Sequence, residues 1–219
     1  MKHTLWKKGS LKNGLLYVIL DTEVTRSNNI NIFSLAEKLA YAGVDIFQLR
    51  AKNLSDKDLL TTARKLSKLI RKRKKLFIVN DRADIASLSG ADGLHLGAED
   101  ISVQDAKKII GKSAIVGKTI HSLAELRRFS KEKVNYLSIG PAFKTKTKPS
   151  LSPLMIKKLK SLARKSKKLT FAIGGINLYN IDSLVKNGIN NIAVCRGIIL
   201  QKNLKSIVEK YKQCLRRAS

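Results

Sequence analysis

The feature that most restricts the fold is an alternation. Short apolar runs with β-branched centres recur along the whole chain, and each is followed by a stretch with helical spacing. The runs are Leu15–Leu20, Val44–Leu49, Leu76–Val79, Gly93–Leu96, Ala114–Val116, Tyr136–Ile139, Thr170–Ile173 and Asn191–Cys195. Helices are predicted over Ile32–Ala42, Asp56–Lys72, Ala83–Ser89, Ser102–Ile110, from Ser122 onward, and over Leu154–Lys167, Ile181–Lys186 and Leu204–Leu215. Ser55 suits an N-cap, and Ser122 with Glu125 has capping-box spacing. Gly43, Gly90, Gly111 and Gly188 stand where helices stop. Gly43-Val-Asp45, Gly90-Ala-Asp92 and Gly188-Ile-Asn190 echo one another as helix stop, turn and strand entry. Eight βα units of roughly 25 residues predict an α/β fold, a closed (β/α)8 barrel, over an open doubly wound sheet. No linker-like stretch divides the chain, so residues 1–219 are expected to form one domain.

Composition narrows the class. The chain is 43% hydrophobic and 27% charged, which suits a buried core and excludes a disordered chain. No apolar run approaches the roughly 20 residues that span a bilayer, and the basic N-terminus lacks a signal-peptide core. A cytoplasmic protein without a membrane partner is expected. Cys195 and Cys214 form no CxxC or Cys/His cluster, so no structural zinc site is predicted and both are expected as reduced thiols. The net charge of +28 invites a nucleic-acid reading. The cations, however, flank Leu66, Leu69, Ile70 and Leu159, Leu162, Ala163 at helical spacing, which puts them on outward faces. Aromatics make up only 5%, too few for stacking platforms, so specific nucleic-acid binding is not expected. A homo-oligomer is compatible with the sequence.

The polar groups fall at strand ends. Gln48, Arg50 and Lys52 follow the second run, Asn80 and Asp81 the third, and Asp100 the fourth. Thr119 and His121 follow the fifth; Thr145, Thr147 and Lys148 follow the sixth in the loop Gly140–Pro149. Gly174-Gly175 follows the seventh and Arg196-Gly197 the eighth. In a barrel these loops share the C-terminal face, where active sites lie. Asp81 and Asp100 could hold a hard divalent ion together with substrate phosphates, or could simply pair with nearby cations. Glycine turns after the last two strands suit a phosphate, or serve turn geometry alone. If the basic loop is extended, Thr145 and Thr147 point one way, with Lys144 and Lys146 towards solvent. His95, within a strand, is expected to be a satisfied core histidine. His121 is a weaker acid/base candidate, and no Ser/His/Asp or Cys/His set is evident.

These pieces resemble the thiamine-phosphate synthase family. The matching motifs are Gln48-Leu-Arg50-Ala-Lys52, Asn80-Asp81-Arg82, Asp92-Gly-Leu-His95-Leu-Gly97, Glu99-Asp100, Gly117-Lys-Thr119-Ile-His121, Gly140-Pro-Ala-Phe-Lys-Thr145-Lys-Thr147-Lys148 and Gly174-Gly175-Ile176, in family order. The resemblance implies a (β/α)8 barrel and a transferase with two phosphorylated small-molecule substrates. It would join hydroxymethylpyrimidine diphosphate to hydroxyethylthiazole phosphate, giving thiamine phosphate and diphosphate by a Mg²⁺-assisted dissociative substitution. By the same resemblance Asp81 and Asp100 would hold Mg²⁺. Gln48, Arg50, Lys52, Asn80, Thr119 and Lys148 would bind the pyrimidine diphosphate, with Lys148, Arg50 and Thr119 catalytic. Thr145, Thr147, Gly175, Cys195 and Arg196 would bind the thiazole phosphate. Three positions depart from the family: Ala98 for Gln, Thr119 for Ser, and Arg196 for Ser at the thiazole-phosphate turn. Two rival readings are a related thiazole tautomerase, which needs an acid/base such as His121, and a basic nucleic-acid-binding protein on a barrel scaffold.

Overall fold

The structure is a computed structural model that describes residues 14–147 and 151–216. Eight parallel strands close into a barrel in sequence order, with β8 pairing back onto β1. They are β1 (Leu16–Asp21), β2 (Ile46–Arg50), β3 (Leu76–Asn80), β4 (Gly93–Leu96), β5 (Ile115–Ile120), β6 (Tyr136–Ile139), β7 (Leu169–Ile173) and β8 (Ile192–Val194). The helices are α1 (Thr22–Arg26), α2 (Ile32–Ala42), α3 (Asp56–Lys72), α4 (Ala83–Leu88), α5 (Val103–Ile110), α6 (Leu123–Ser130), α7 (Ile156–Lys165), α8 (Ile181–Val185), α9 (Arg196–Ile199) and α10 (Leu204–Arg216).

Strand periodicity makes two cores. Along β1, Leu16, Val18 and Leu20 join the cluster between sheet and helices, while Tyr17 and Ile19 enter the barrel. Inside, Tyr17, Tyr136 and Phe171 pack edge-on, with ring centroids 5.5–6.0 Å apart. These rings plug the barrel below its C-terminal mouth. On α3, Leu59, Ala63, Leu66 and Ile70 are buried at helical spacing and its cations face outward, as predicted. Each such Leu or Ile contributes about 1.5–3 kcal/mol through burial. Hydroxyls cap the helices as expected: Ser55 accepts from the Asp58 amide at 3.2 Å, and Ser122 from the Glu125 amide at 3.2 Å. The Glu125 carboxylate reaches back to the His121 amide, one residue before the cap.

Several assignments differ from the sequence reading. Two short helices, α1 and α9, were not expected; at five and four residues they carry no period to detect. β5 runs through Gly117, Lys118 and Thr119 instead of stopping at Val116. Arg50 is the last residue of β2, which the sequence reading ended at Leu49. β8 ends at Val194, so Cys195 caps α9 and the expected open turn at Arg196-Gly197 is helical.

Candidate active site

The C-terminal ends of the strands surround a cavity of about 820 Å³. Its walls include Gln48, Arg50, Lys52, Asn80, Asp81, Asp100, Thr119, Thr145, Thr147, Gly175, Cys195 and Arg196. Twelve of the thirteen expected site residues are thus brought together from seven strand ends. The remaining one, Lys148, lies outside the described residues. Lys144 and Lys146 are solvent-exposed, as expected, yet they also line the rim. His121 is part of the same wall. Its Nδ1 bonds to the Gly140 carbonyl.

Position follows from strand geometry. Gln48 and Arg50 alternate with the outward-facing Phe47 and Leu49, so both side chains point into the mouth. Arg50 does not stand alone. Its Nη1 donates to Asp21 Oδ2 at 2.5 Å, and Asp21 is 1% exposed. The other oxygen of Asp21 accepts from the amides of Glu23 and Val24 at 3.0 and 3.1 Å, capping α1. One carboxylate therefore starts a helix and holds a guanidinium over the cavity. Sequence reasoning missed Asp21. The signal was an Asp at a strand end followed by Thr-Glu, the composition of a cap and first turn.

Asp81 lies at φ 64°, in the left-handed region, with its amide donating to the His95 carbonyl at 2.8 Å. For a non-glycine residue this costs on the order of 1 kcal/mol, and Asp tolerates it better than most. The turn aims its carboxylate at Asp100 and Lys52, whose Nζ pairs with it. Burial pushes the Asp81 carboxyl above the usual range, and the neighbouring Asp100 adds to the effect. Burial also opposes the Asp100 charge. Bonds to Asp81 and to the Gly97 amide at 2.6 Å, with the charges of Lys52 and Lys118, outweigh it and lower the Asp100 pKa. Two carboxyls this close disfavour double ionisation unless a cation enters between them.

Lys118 was also missed. It points away from the cavity on β5, buried, with Nζ donating to the Gly97 carbonyl at 2.5 Å. It pins the start of the loop that carries Asp100. Burial lowers its pKa, the Asp100 charge working against that.

On the opposite wall the β6 and β7 loops are stitched together. The Ala142 amide donates to Ile173 at 2.7 Å and the Phe143 amide to Gly174 at 3.0 Å. A Cβ on Gly175 would lie 2.4 Å from the Lys144 carbonyl, and its φ is 64°, so only glycine fits. Asn180 donates to the Gly175 carbonyl at 3.0 Å and supports that turn. Arg196 begins α9 at the cavity edge, and its Nε is buried without a hydrogen-bond partner among the described residues. Burial, with the Asp21 charge adding to it, pushes the Cys195 thiol up to about 12.

No group of three or more His, Cys, Asp or Glu capable of holding a metal is present among the described residues. A carboxylate pair facing open space still suits Mg²⁺, which takes one or two protein carboxylates and completes its shell with water and phosphate oxygens. No helix among the described residues is long and apolar enough to cross a membrane.

Comparison with known proteins is consistent with this geometry. A family model described as thiamine monophosphate synthase matches residues 16–198. A thiamine-phosphate synthase of Prochlorococcus marinus subsp. pastoris is 39% identical over 175 residues, covering 80% of this chain and 50% of that protein. The chain spans about half the length of such longer relatives. A thiamine-phosphate synthase of Persephonella marina is 35% identical over 200 residues, covering 91% of this chain and 95% of that protein. The solved thiamine phosphate pyrophosphorylase from Pyrococcus furiosus superposes with a TM-score of 0.83 at 27% identity, covering 94% and 96% of the two chains. A closed (β/α)8 barrel, a cationic mouth with a carboxylate pair and these matches agree: the chain belongs to the thiamine monophosphate synthase family.

Proposed function

We propose that this chain joins hydroxymethylpyrimidine diphosphate to hydroxyethylthiazole phosphate, forming thiamine phosphate and releasing diphosphate. The observation that carries the reading is the division of the mouth: a carboxylate pair beside Arg50 and Lys52 on one wall, and glycine turns with Arg196 on the other. Two phosphorylated substrates need two such walls.

Asp81 and Asp100 would hold Mg²⁺, which would neutralise charge as it builds on the departing diphosphate. Arg50, held by Asp21, and Lys52 would bind the same phosphates, the guanidinium offering two donors in a fixed fork. Asn80 and Gln48 would orient the pyrimidine, and Thr119 would donate to the diphosphate. Among described cavity residues, Arg50 and Thr119 are the groups proposed to act on the reacting bond; Lys148 keeps its proposed role from the sequence. Across the mouth, Thr145, Thr147, Gly175 and the Cys195-Arg196 backbone would receive the thiazole phosphate. A phosphate oxygen there would supply the partner that Arg196 Nε lacks among the described residues.

The test is to incubate the protein with both substrates and Mg²⁺ and separate the products. Thiamine phosphate appearing only when both substrates are present supports the reading. Isomerised thiazole phosphate without diphosphate release would favour a tautomerase instead.

A further inference from the structure

The barrel floor carries a continuous line of hydrogen bonds between two residues of the proposed site. Gln48 Nε2 donates to Tyr17 Oη at 2.6 Å. Tyr17 Oη lies 3.1 Å from Tyr136 Oη, which lies 2.9 Å from His95 Nδ1. His95 Nε2 is 2.8 Å from Thr119 Oγ1. Gln48, Tyr17, Tyr136 and His95 are all at most 4% exposed. The line crosses from β2 through β1, β6 and β4 to β5, tying one wall of the mouth to another.

Each hydroxyl has one proton to give, and a neutral imidazole has one N–H. A line of this kind has two self-consistent directions. The Gln48 amide nitrogen, facing Tyr17, selects one. Tyr17 then donates to Tyr136, Tyr136 donates to His95 Nδ1, and His95 donates through Nε2 to Thr119. The hydroxyl proton of Thr119 is left for the cavity. A doubly protonated His95 breaks this order, because both ring nitrogens would donate and Tyr17 would face the Gln48 donor with no acceptor for its own proton. Burial keeps both tyrosines protonated, raising their pKa values well above the ordinary phenol value.

We propose that this line is a one-way relay. Gln48 fixes the tautomer of His95, and His95 presents Thr119 as a hydrogen-bond donor to an anionic ligand. Tyr17, Tyr136 and His95 are positioning residues in this scheme; none needs to touch substrate. The role of Thr119 rests on the reading under Proposed function, but the direction of the relay belongs to the free protein. A hydroxyl spent on the imidazole could only accept, and it would repel a phosphate oxygen. The wrong direction therefore leaves the fold intact and spoils the site.

The experiment is nitrogen NMR of the unliganded protein labelled with ¹⁵N-histidine. Wild type should show His95 as the neutral Nε2–H tautomer. Gln48→Glu at pH 8 puts an acceptor at the head of the line, and His95, which residue 48 does not touch, should switch to the Nδ1–H tautomer. In Tyr17→Phe/Gln48→Glu the line is cut, and the His95 signal should match that of Tyr17→Phe alone. An Nδ1–H or imidazolium His95 in wild type, or an Nε2–H tautomer that persists in Gln48→Glu, would overturn the relay. A change that reaches His95 equally with Tyr17 removed would do the same. As a functional readout, inorganic diphosphate should bind Gln48→Glu about tenfold more weakly than Tyr17→Phe/Gln48→Glu, which carries the same added charge with the line cut. That deficit should largely vanish when both are compared in a Thr119→Val background. If the tautomer switches and diphosphate binds no protein, the relay stands and the functional reading fails.

Discussion

Asp21 shows how one residue can join fold and site. It is buried, it caps α1 through two amides, and it pairs with Arg50 at 2.5 Å. Asp21→Asn keeps an acceptor for the cap but removes the charge opposite Arg50. Stability should fall by on the order of 1–3 kcal/mol, the cost of weakening a buried charged hydrogen bond. Turnover per encounter, kcat/KM, should fall about tenfold or more as Arg50 loses its fixed pose. Urea melts and steady-state kinetics separate the two effects; unchanged kinetics would remove Asp21 from the site. Cys195 gives a pH prediction. Its thiol titrates at about 12 in the fold against about 9 when free. The unfolded chain therefore loses its proton first, so this contribution to stability is present below about pH 9 and is lost as pH rises towards 12. At pH 8 the folded protein keeps this thiol protonated, and iodoacetamide should label Cys195 far more slowly than after denaturation. Mass spectrometry of the labelled peptide decides this. At this scale the sequence was informative where chemistry is unusual for its context. Asp81, Asp100 and Arg50 are charges at strand ends. Tyr17 and Tyr136 were not legible, because an apolar-looking residue inside a strand gives no hint that its hydroxyl is wired to a histidine.

Among the elements, β5 is the instructive one. Its run Ile-Val-Gly-Lys-Thr-Ile contains a glycine, a lysine and a hydroxyl, and pattern reading stopped it at Val116. Each exception has a local cause. Gly117 faces inward where the Tyr136 ring crosses, and a Cβ there would fall 2.0 Å from that ring's Cζ. Lys118 faces outward onto Gly97, and Thr119 faces the cavity. A strand whose inner face is a floor and a cavity wall has no reason to look apolar. Gly117→Ala should push the Tyr136 ring aside, cost about 1–3 kcal/mol as an overpacked core, and disturb the hydrogen bonds of the floor. Thermal melting with near-ultraviolet circular dichroism checks it. A variant as stable as wild type, with its tyrosine signal unchanged, would mean that the ring has room to yield. The short helices α1 and α9 escaped for a different reason: capping and tertiary contact make them, and neither leaves a period in four or five residues. The long helices, whose buried stripes recur several times, were legible almost to the residue.

For the whole molecule, the eightfold alternation determined the architecture. Barrel closure then gathered residues scattered from Gln48 to Arg196 around one mouth. The +28 charge lies outside that logic. Cations on α3 and α7 cover the outward faces of amphipathic helices, so any binding to mixed-sequence DNA should be weak and should disappear near physiological salt. Fluorescence anisotropy across a salt series measures it, and tight, sequence-selective binding at that salt would revive a nucleic-acid role. The central proposal is that the mouth of this barrel carries out a diphosphate-releasing condensation that depends on its carboxylate pair. The most direct measurement is diphosphate release with both substrates and Mg²⁺, comparing wild type with folded Asp81→Ala and Asp100→Ala. The account predicts release that needs both substrates, stops in chelator, and falls at least about a hundredfold in each variant, the scale of losing a charge-stabilising group. Wild-type rates in both variants, or release undiminished by chelator, would contradict it.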